Sequence, residues 1–245
     1  MPDPHTAAPI GGLGEKSTAA LSVGIAPAWH TVVVLLVMLG VSLLGARGNT
    51  PAILSNHGRV PTYLLAMTVE WSTVALIWWG VRRRGVSLSD LIGGSWPRWL
   101  DVLRDLGIGI AFIIIVGGAV QVLANLLKAA PPQAVTAMMP QTPLEMILWV
   151  PLSATGGFCE EVIFRGYLQR QFSVLTRSLP GGIALQAIAF GLSHGYQGWR
   201  LMSTIVIYGA CFGCLAHWRR SLRPGILGHT LQDTVAGLLA RFLMH

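Results

Sequence analysis

Seven runs of this chain are apolar and nearly free of charge, and they constrain its fold more than any other feature. Most of them have about the 20 residues that a helix needs to cross a hydrocarbon core. The runs are 28–46, 60–81, 106–127, 144–164, 181–195, 201–218 and 224–243. None of them shows the sustained alternation of a strand, and an open sheet would leave backbone groups unsatisfied in lipid. The sequence therefore predicts an all-α, polytopic transmembrane helix bundle of about seven spans.

The composition excludes several classes of soluble protein. Charged residues make up 11% of the 245 residues and hydrophobic residues 53%, whereas a soluble domain is about one-quarter charged. A net charge of +7 would suit a nucleic-acid-binding domain, but here it is spread between apolar runs, so we expect no nucleic-acid partner. We expect one integral membrane domain over residues 28–245, preceded by a disordered tail at 1–27, in a multi-pass protein of the cell membrane.

The distribution of basic residues predicts the orientation of the chain. Loops on the cytoplasmic side of a membrane carry an excess of Lys and Arg. If the seven runs all cross, five of the 17 basic residues fall on one side and twelve on the other. The five are Arg47, Arg59, Lys128, Arg200 and Arg241; the twelve are Lys16, Arg82, Arg83, Arg84, Arg98, Arg104, Arg165, Arg170, Arg177, Arg219, Arg220 and Arg223. The N-terminus shares the side of the twelve and is predicted to be cytoplasmic.

The fourth run is unusual because it carries acidic residues. Glu145 lies near its start, and Glu160 and Glu161 lie near its end, followed by Arg165. Ionisable groups inside a membrane are expensive and mark function by default. The four-residue spacing makes Glu161 and Arg165 a natural ion pair, which leaves Glu160 to face a different direction. Alternatively, all three form only a buried cluster that holds helices together, and the stretch 153–157 would allow a break in the run.

Two histidine motifs follow on the later runs. Counting 1.5 Å per residue from the turn near 176–181, Glu160 and His194 lie at about the same depth, near 25 Å, so a hairpin would bring them together. His229 and Asp233 share one helix face, but His229 is too shallow unless the preceding turn is recessed or re-entrant. Either histidine alone would suit an ordinary interhelical hydrogen bond.

Two further features remain open. Glu70 lies in the middle of the second run with no motif around it, and it either lines a cavity or pairs with a neighbour. Cys211 and Cys214 have redox spacing, but inside an apolar run they favour helix packing. The three cysteines of the chain make neither a disulfide framework nor a zinc ribbon.

Together the three motifs, EExxxR at 160–165, FxxxH at 190–194 and HxxxD at 229–233, resemble those of the CPBP family of intramembrane glutamic endopeptidases. This family, also called ABI, comprises CAAX proteases and bacteriocin-processing enzymes and includes Rce1-type CAAX prenyl endopeptidases. The resemblance covers about residues 143–240, and the first three runs match only as generic membrane helices.

The resemblance implies a role for each motif residue. Glu160 and His194 would activate the attacking water, and Glu161 and Arg165 would be structural or substrate-orienting. His229 and the residue at 233 would line the oxyanion site. The family often has Asn where this chain has Asp233, and an ionised Asp cannot donate a hydrogen bond. Asp233 is therefore either protonated or orients His229.

We accordingly expect an intramembrane endopeptidase, a hydrolase that cleaves a membrane-embedded or lipidated peptide of the CAAX type within the lipid bilayer. No cofactor and no metal ligand is expected, because the HExxH helix of a metalloprotease is missing. A zinc-dependent version of the same protease is one alternative, since imidazole and carboxylate suit zinc. A non-catalytic bacteriocin-immunity or membrane scaffold protein is a second. A proton-coupled transporter is less favoured because repeated halves with broken helices do not occur.

Overall fold

The structure, a computed structural model, describes residues 24–47, 58–129 and 133–243. These residues form nine helices and one short 3-10 turn at Gly195–Gln197 and contain no strand, which confirms the all-α fold class. The helices are α1 (Ala28–Arg47), α2 (Arg59–Arg82), α3 (Leu88–Ile92), α4 (Trp99–Leu126), α5 (Gln133–Met138), α6 (Pro143–Thr176), α7 (Leu179–Ser193), α8 (Trp199–Arg219) and α9 (Arg223–Leu243). Helices α4 and α6 contain π-helical segments at Ile113–Gly117 and Glu161–Leu168.

Each of the seven predicted runs corresponds to one helix. Helices α2, α4, α6 and α8 are long and apolar enough to cross a membrane. Apolar stretches in α1 and α7 are shorter, and α9 is interrupted by the polar HxxxD motif. The chain is thus a membrane helix bundle. Of the predicted disordered tail, residues 1–23 lie outside the described residues.

Helix α6 lies at the centre of the bundle. All eight residues of its π-helical segment are buried. The core that surrounds this segment draws on several helices, with Val34 from α1, Ile77 from α2, Leu91 from α3 and Phe190 from α7. With 34 residues, α6 is about 50 Å long at 1.5 Å per residue, well beyond the thickness of a hydrocarbon core. Because protein encloses its second half, polar side chains there need not face lipid.

Two features of the fourth run differ from a plain membrane span. The break that the stretch 153–157 would allow does not occur, because α6 continues without interruption through Pro151 and beyond. Glu145 lies at the first turn, where its carboxylate accepts hydrogen bonds from the backbone N–H groups of Gln141 and Thr142 at 2.8 and 3.1 Å. The Thr142 hydroxyl completes a capping box. Glu145 therefore stabilises a helix end.

The turn between α8 and α9 is recessed into the protein. Ser221 and Leu222 are buried, and the Ser221 hydroxyl and the Leu222 N–H both donate to the carbonyl of Ile92, at 3.1 and 2.8 Å. Arg223, at the start of α9, lies 3.3 Å from the Asp105 carboxylate of α4. Helix α3 and the segment after it thus cover this turn. The recessed turn required by the sequence is present, and it moves the HxxxD motif deeper into the bundle.

Helices α4 and α9 approach each other closely at a pair of glycines. A Cβ added at Gly109 would lie 2.7 Å from the Pro224 carbonyl oxygen and 3.0 Å from the Gly228 nitrogen, both backbone atoms. Two residues earlier on the same helix, a Cβ at Gly107 would meet nothing within 4 Å. The contact at Gly109 therefore helps to position α9 and its motif.

We predict that Gly109→Ala destabilises the protein by about 1–3 kcal/mol, because backbone atoms must move apart to admit the methyl group. The matched control, Gly107→Ala, should be neutral or stabilise by up to about 1 kcal/mol, since alanine is the better helix former. Thermal unfolding of both variants in detergent measures the difference. Equal unfolding temperatures for the two variants would contradict the close approach.

Candidate active site

Glu161 and Arg165 form a fully buried ion pair within α6. Arg165 Nη1 lies 2.9 Å from Glu161 Oε1, and the side chains are 0% and 1% exposed. The second guanidinium nitrogen, Nη2, donates to the carbonyl of Gly209 on α8. The guanidinium carbon also lies 4.3 and 4.9 Å from the ring centroids of Phe190 and Phe212. The pairing expected from the four-residue spacing is present, and it joins α6 to α7 and α8.

The charge count that predicts the orientation includes Arg165, and this assignment was wrong. A guanidinium that is buried and paired within a helix is not a loop charge. Eleven basic residues then remain on the predicted cytoplasmic side of the sequence, against five on the other. The predicted cytoplasmic side therefore still carries more basic residues than the other side.

Glu160 faces away from this pair and meets His194, at the end of α7. Glu160 Oε1 lies 3.9 Å from His194 Nε2. The two residues therefore lie at a common depth, as residue counting from the turn between α6 and α7 predicts. The other ring nitrogen, Nδ1, lies 2.9 Å from the Phe190 carbonyl oxygen. Since a carbonyl only accepts, Nδ1 carries a proton, and in the neutral ring Nε2 is left as an acceptor. An acceptor nitrogen and a carboxylate at this separation can both bind one water molecule.

His229 lies among three carboxylates. Its Nε2 is 3.6 Å from Glu160 Oε2 and 3.5 Å from Asp233 Oδ2, and its Nδ1 is 3.5 Å from Glu161 Oε1. A Cβ added at Gly157 of α6 would lie 2.7 Å from the backbone nitrogen of Thr230, the residue after His229, so α6 and α9 pack tightly here. All six motif residues are therefore gathered around two turns of α6, and Glu160 contacts both histidines.

A cavity of about 540 Å³ opens beside these residues. Glu160, His194, His229 and Asp233 form its polar end, while most of its wall is apolar, including the side chains of Leu44, Leu65, Val135, Met138, Met139, Leu152 and Ala236. A cavity with mostly apolar walls and a few convergent polar groups is typical of a ligand site. The polar end could therefore act on a substrate that is itself largely apolar.

The structure adds residues that the sequence did not assign to the site. Glu70 of α2 lines the cavity together with Glu160, and its Oε2 is buried without a hydrogen-bond partner among the described residues. Trp149 donates from Nε1 to the backbone carbonyl of Asp233 at 2.8 Å, which positions α9 against α6. The only sequence signal for Glu70 is an isolated acid in an apolar run, and Trp149 gives none.

A serine nucleophile has little support in the geometry. The Ser193 hydroxyl lies 3.1 Å from His194 Nδ1, the ring nitrogen that carries the proton, so His194 cannot take a proton from Ser193 at that nitrogen. Cys211 and Cys214 are both free thiols on α8. Within the described ranges, no group of three or more His, Cys, Asp or Glu side chains is placed to hold a metal ion.

Comparison with known families gives one match. Residues 142–235 match the model of the type II CAAX prenyl endopeptidase Rce1-like family. This region of the chain is therefore similar to that family. It contains all three motifs and begins at the cap of α6. No curated protein and no solved structure matches the chain.

At the family level, the match of residues 142–235 supports a CAAX-type protease. Its apolar helices make the chain a membrane protein, so the matched region lies among membrane helices. The match covers helices α6–α8 and the first part of α9, and residues 1–141 lie outside it.

We predict that Arg165→Met destabilises the protein by about 3–5 kcal/mol, because it leaves the Glu161 carboxylate buried and unpaired. Glu161→Gln should also destabilise the fold. The double variant should lose less stability than the sum of the two single changes, since no uncompensated charge remains. Thermal unfolding in detergent completes this cycle, and strict additivity would argue against the ion pair.

Proposed function

We propose that this protein is an intramembrane endopeptidase of the glutamic type, in which Glu160 and His194 activate a water molecule. The observation that carries the proposal is the 3.9 Å approach of Glu160 Oε1 to His194 Nε2 at the polar end of an otherwise apolar cavity. A water held between them would be about 2.8 Å from each atom, an ordinary hydrogen-bond distance. The match to the Rce1-like family supports peptide hydrolysis as the reaction.

The steps follow from the positions of these two side chains. Glu160 removes one proton from the water while His194 Nε2 accepts a hydrogen bond from the other, and the water oxygen attacks the scissile carbonyl carbon. The Glu160 carboxylic acid then gives its proton to the amide nitrogen as the C–N bond breaks. The products are an amine and a carboxylic acid, which loses its proton through His194. The protein forms no covalent intermediate in this scheme.

His229 supplies the donor for the oxyanion that forms on the carbonyl oxygen. Its Nε2 lies 3.6 Å from the Glu160 carboxylate, so it is adjacent to the position of the attacking water. Asp233 Oδ2 is 3.5 Å from the same nitrogen, and its charge orients the ring while the Nε2 proton remains available for the oxyanion. Positioned donors of this kind contribute about 10²–10³ in rate, because they stabilise charge that develops only in the transition state.

The substrate that suits this cavity is an apolar, membrane-associated peptide, including lipid-modified peptides of the CAAX type. Apolar side chains form most of the cavity wall, and an apolar residue or lipid chain would replace water along it. We further propose that the N-terminus is cytoplasmic, in line with the excess of basic residues on that side.

Removal of either water-activating group should abolish most of the activity. Glu160→Gln and His194→Ala should each lower the rate of peptide cleavage at least about 100-fold, because a positioned general base contributes about 10²–10⁴. Cleavage of a lipidated peptide by the protein in detergent or liposomes measures this. Asp90→Asn is a charge-matched control, since Asp90 is exposed and caps α3 through Ser87; it should keep wild-type activity.

Wild-type rates in either variant would overturn the assignment. Full loss of activity with EDTA, restored by zinc, would instead favour a zinc-dependent protease. If wild-type protein cleaves no peptide and Glu160→Gln still retains a bound membrane peptide or protective effect, the chain is a scaffold or immunity protein.

Substitutions at residue 233 test whether Asp233 takes part in the reaction. Asp233→Asn should keep cleavage within about tenfold of wild type, because the amide oxygen still attracts the His229 N–H and the amide nitrogen can donate to the oxyanion. Asp233→Leu should lose about 100-fold, since the ring is no longer held. The cleavage rates of both variants and of the wild type, measured over a range of pH, check this prediction. Equal activity of the leucine variant and wild type would show that Asp233 has no role in the reaction.

A further inference from the structure

A second cavity, of about 390 Å³, lies on the other side of the Glu161–Arg165 pair. It is formed by the second half of α6, the start of α7, the end of α8 and the recessed turn. Arg165 lines this cavity, whereas Glu160 lines the first one. The proposed reaction does not use it.

The second cavity is basic. Arg170, His217 and Arg220 line it together with Arg165, and none of its lining residues is acidic. The acids of the neighbouring elements are already engaged. Glu161 pairs with Arg165, Asp90 caps α3 and Asp105 binds Arg219 and Arg223 across the bundle.

Two of these basic residues have no side-chain partner within the described part of the chain. Neither Arg220 nor His217 makes a side-chain hydrogen bond or an ion pair there. Arg170, by contrast, donates to the carbonyls of Asp90 and Leu91 and holds α3 in place. The cavity therefore has an excess of positive charge that no described acid neutralises.

We propose that this cavity binds the headgroup of an anionic phospholipid such as phosphatidylglycerol. The phosphate contacts the unpartnered side chains of Arg220 and His217. Basic pockets between membrane helices on the cytoplasmic side are known to take such headgroups. A lipid is favoured over a free anion because most of the remaining wall is apolar, including Val174, Leu179 and Leu222. The exposed apolar side chain of Leu175 follows directly on α6.

Arg220→Asn tests this site with a matched control. Arg220 is the C-cap of α8 with φ 49°, and Arg177 is the C-cap of α6 with φ 51°, both in the left-handed region that asparagine tolerates. Both arginines are exposed and belong to turns between long helices, but only Arg220 lines the cavity. Arg177→Asn therefore removes the same charge in the same conformation at a different place.

Native mass spectrometry of the full chain, titrated in detergent with phosphatidylglycerol, phosphatidylcholine or inorganic phosphate, gives the apparent affinity of each. We expect phosphatidylglycerol to bind at least tenfold more tightly than phosphatidylcholine. Arg220→Asn should weaken its binding about tenfold, since a charge-assisted contact is lost, while Arg177→Asn leaves it within twofold. His217→Gln should give a smaller loss.

Three outcomes would overturn the proposal. Equal losses in the two arginine variants would show a diffuse charge effect rather than a site. Inorganic phosphate that displaces the lipid at similar concentration would show a free-anion site, and equal binding of the two lipids would show no headgroup recognition. The measurement needs no cleavage assay, so it succeeds or fails independently of the proposed protease activity.

Discussion

The buried ion pair between Glu161 and Arg165 is the interaction on which the arrangement of the site depends. Two charges removed from water persist only where they are paired and further hydrogen-bonded. Here the further contacts come from the Gly209 carbonyl on α8 and from the aromatic faces around the guanidinium. They fix the rotation of α6 about its axis. Because consecutive side chains on a helix lie about 100° apart, fixing Glu161 in the interior directs Glu160 into the cavity.

The pair also divides the interior into two regions of opposite charge. On the Glu161 side, Glu160, Asp233 and Glu70 surround the first cavity together with two histidines. On the Arg165 side, the second cavity is lined by basic groups and no acid. One helix thus presents a carboxylate-rich environment suited to proton transfer and, about one turn later, a cationic environment suited to an anion. Because α6 lies at the centre of the bundle, side chains of the surrounding helices contribute to both cavities.

Much of the fold could be predicted from the sequence because its signals are local. Each of the seven apolar runs corresponds to one helix, and the tight turn after α6 sets Glu160 and His194 at one depth by residue counting alone. The position of Arg165 inside the bundle followed from its spacing to Glu161, although the charge count placed it in a loop. These inferences needed only the rise of a helix and the cost of charge in an apolar medium.

Other parts of the site depend on contacts between distant segments and could not be predicted. The recessed turn before His229 is held by the Ile92 carbonyl and by Asp105, more than a hundred residues earlier in the chain. Whether Glu70 faces the cavity depends on how α2 packs against α6, and no local motif encodes that packing. The hydroxyl of Tyr167, which lies 2.7 Å from His30 Nδ1, similarly links α1 to α6 without any periodic signal.

The central claim is that the gap between Glu160 and His194 is where a peptide bond is hydrolysed. An experimental structure of the Glu160→Gln protein with an uncleaved, lipidated membrane peptide tests it most directly. The account predicts that the scissile carbonyl carbon lies beside this gap, about 3–3.5 Å from a water bound there, with its oxygen directed at His229. A peptide whose carbonyl lies elsewhere in the bundle, or points at Ser193, would contradict it.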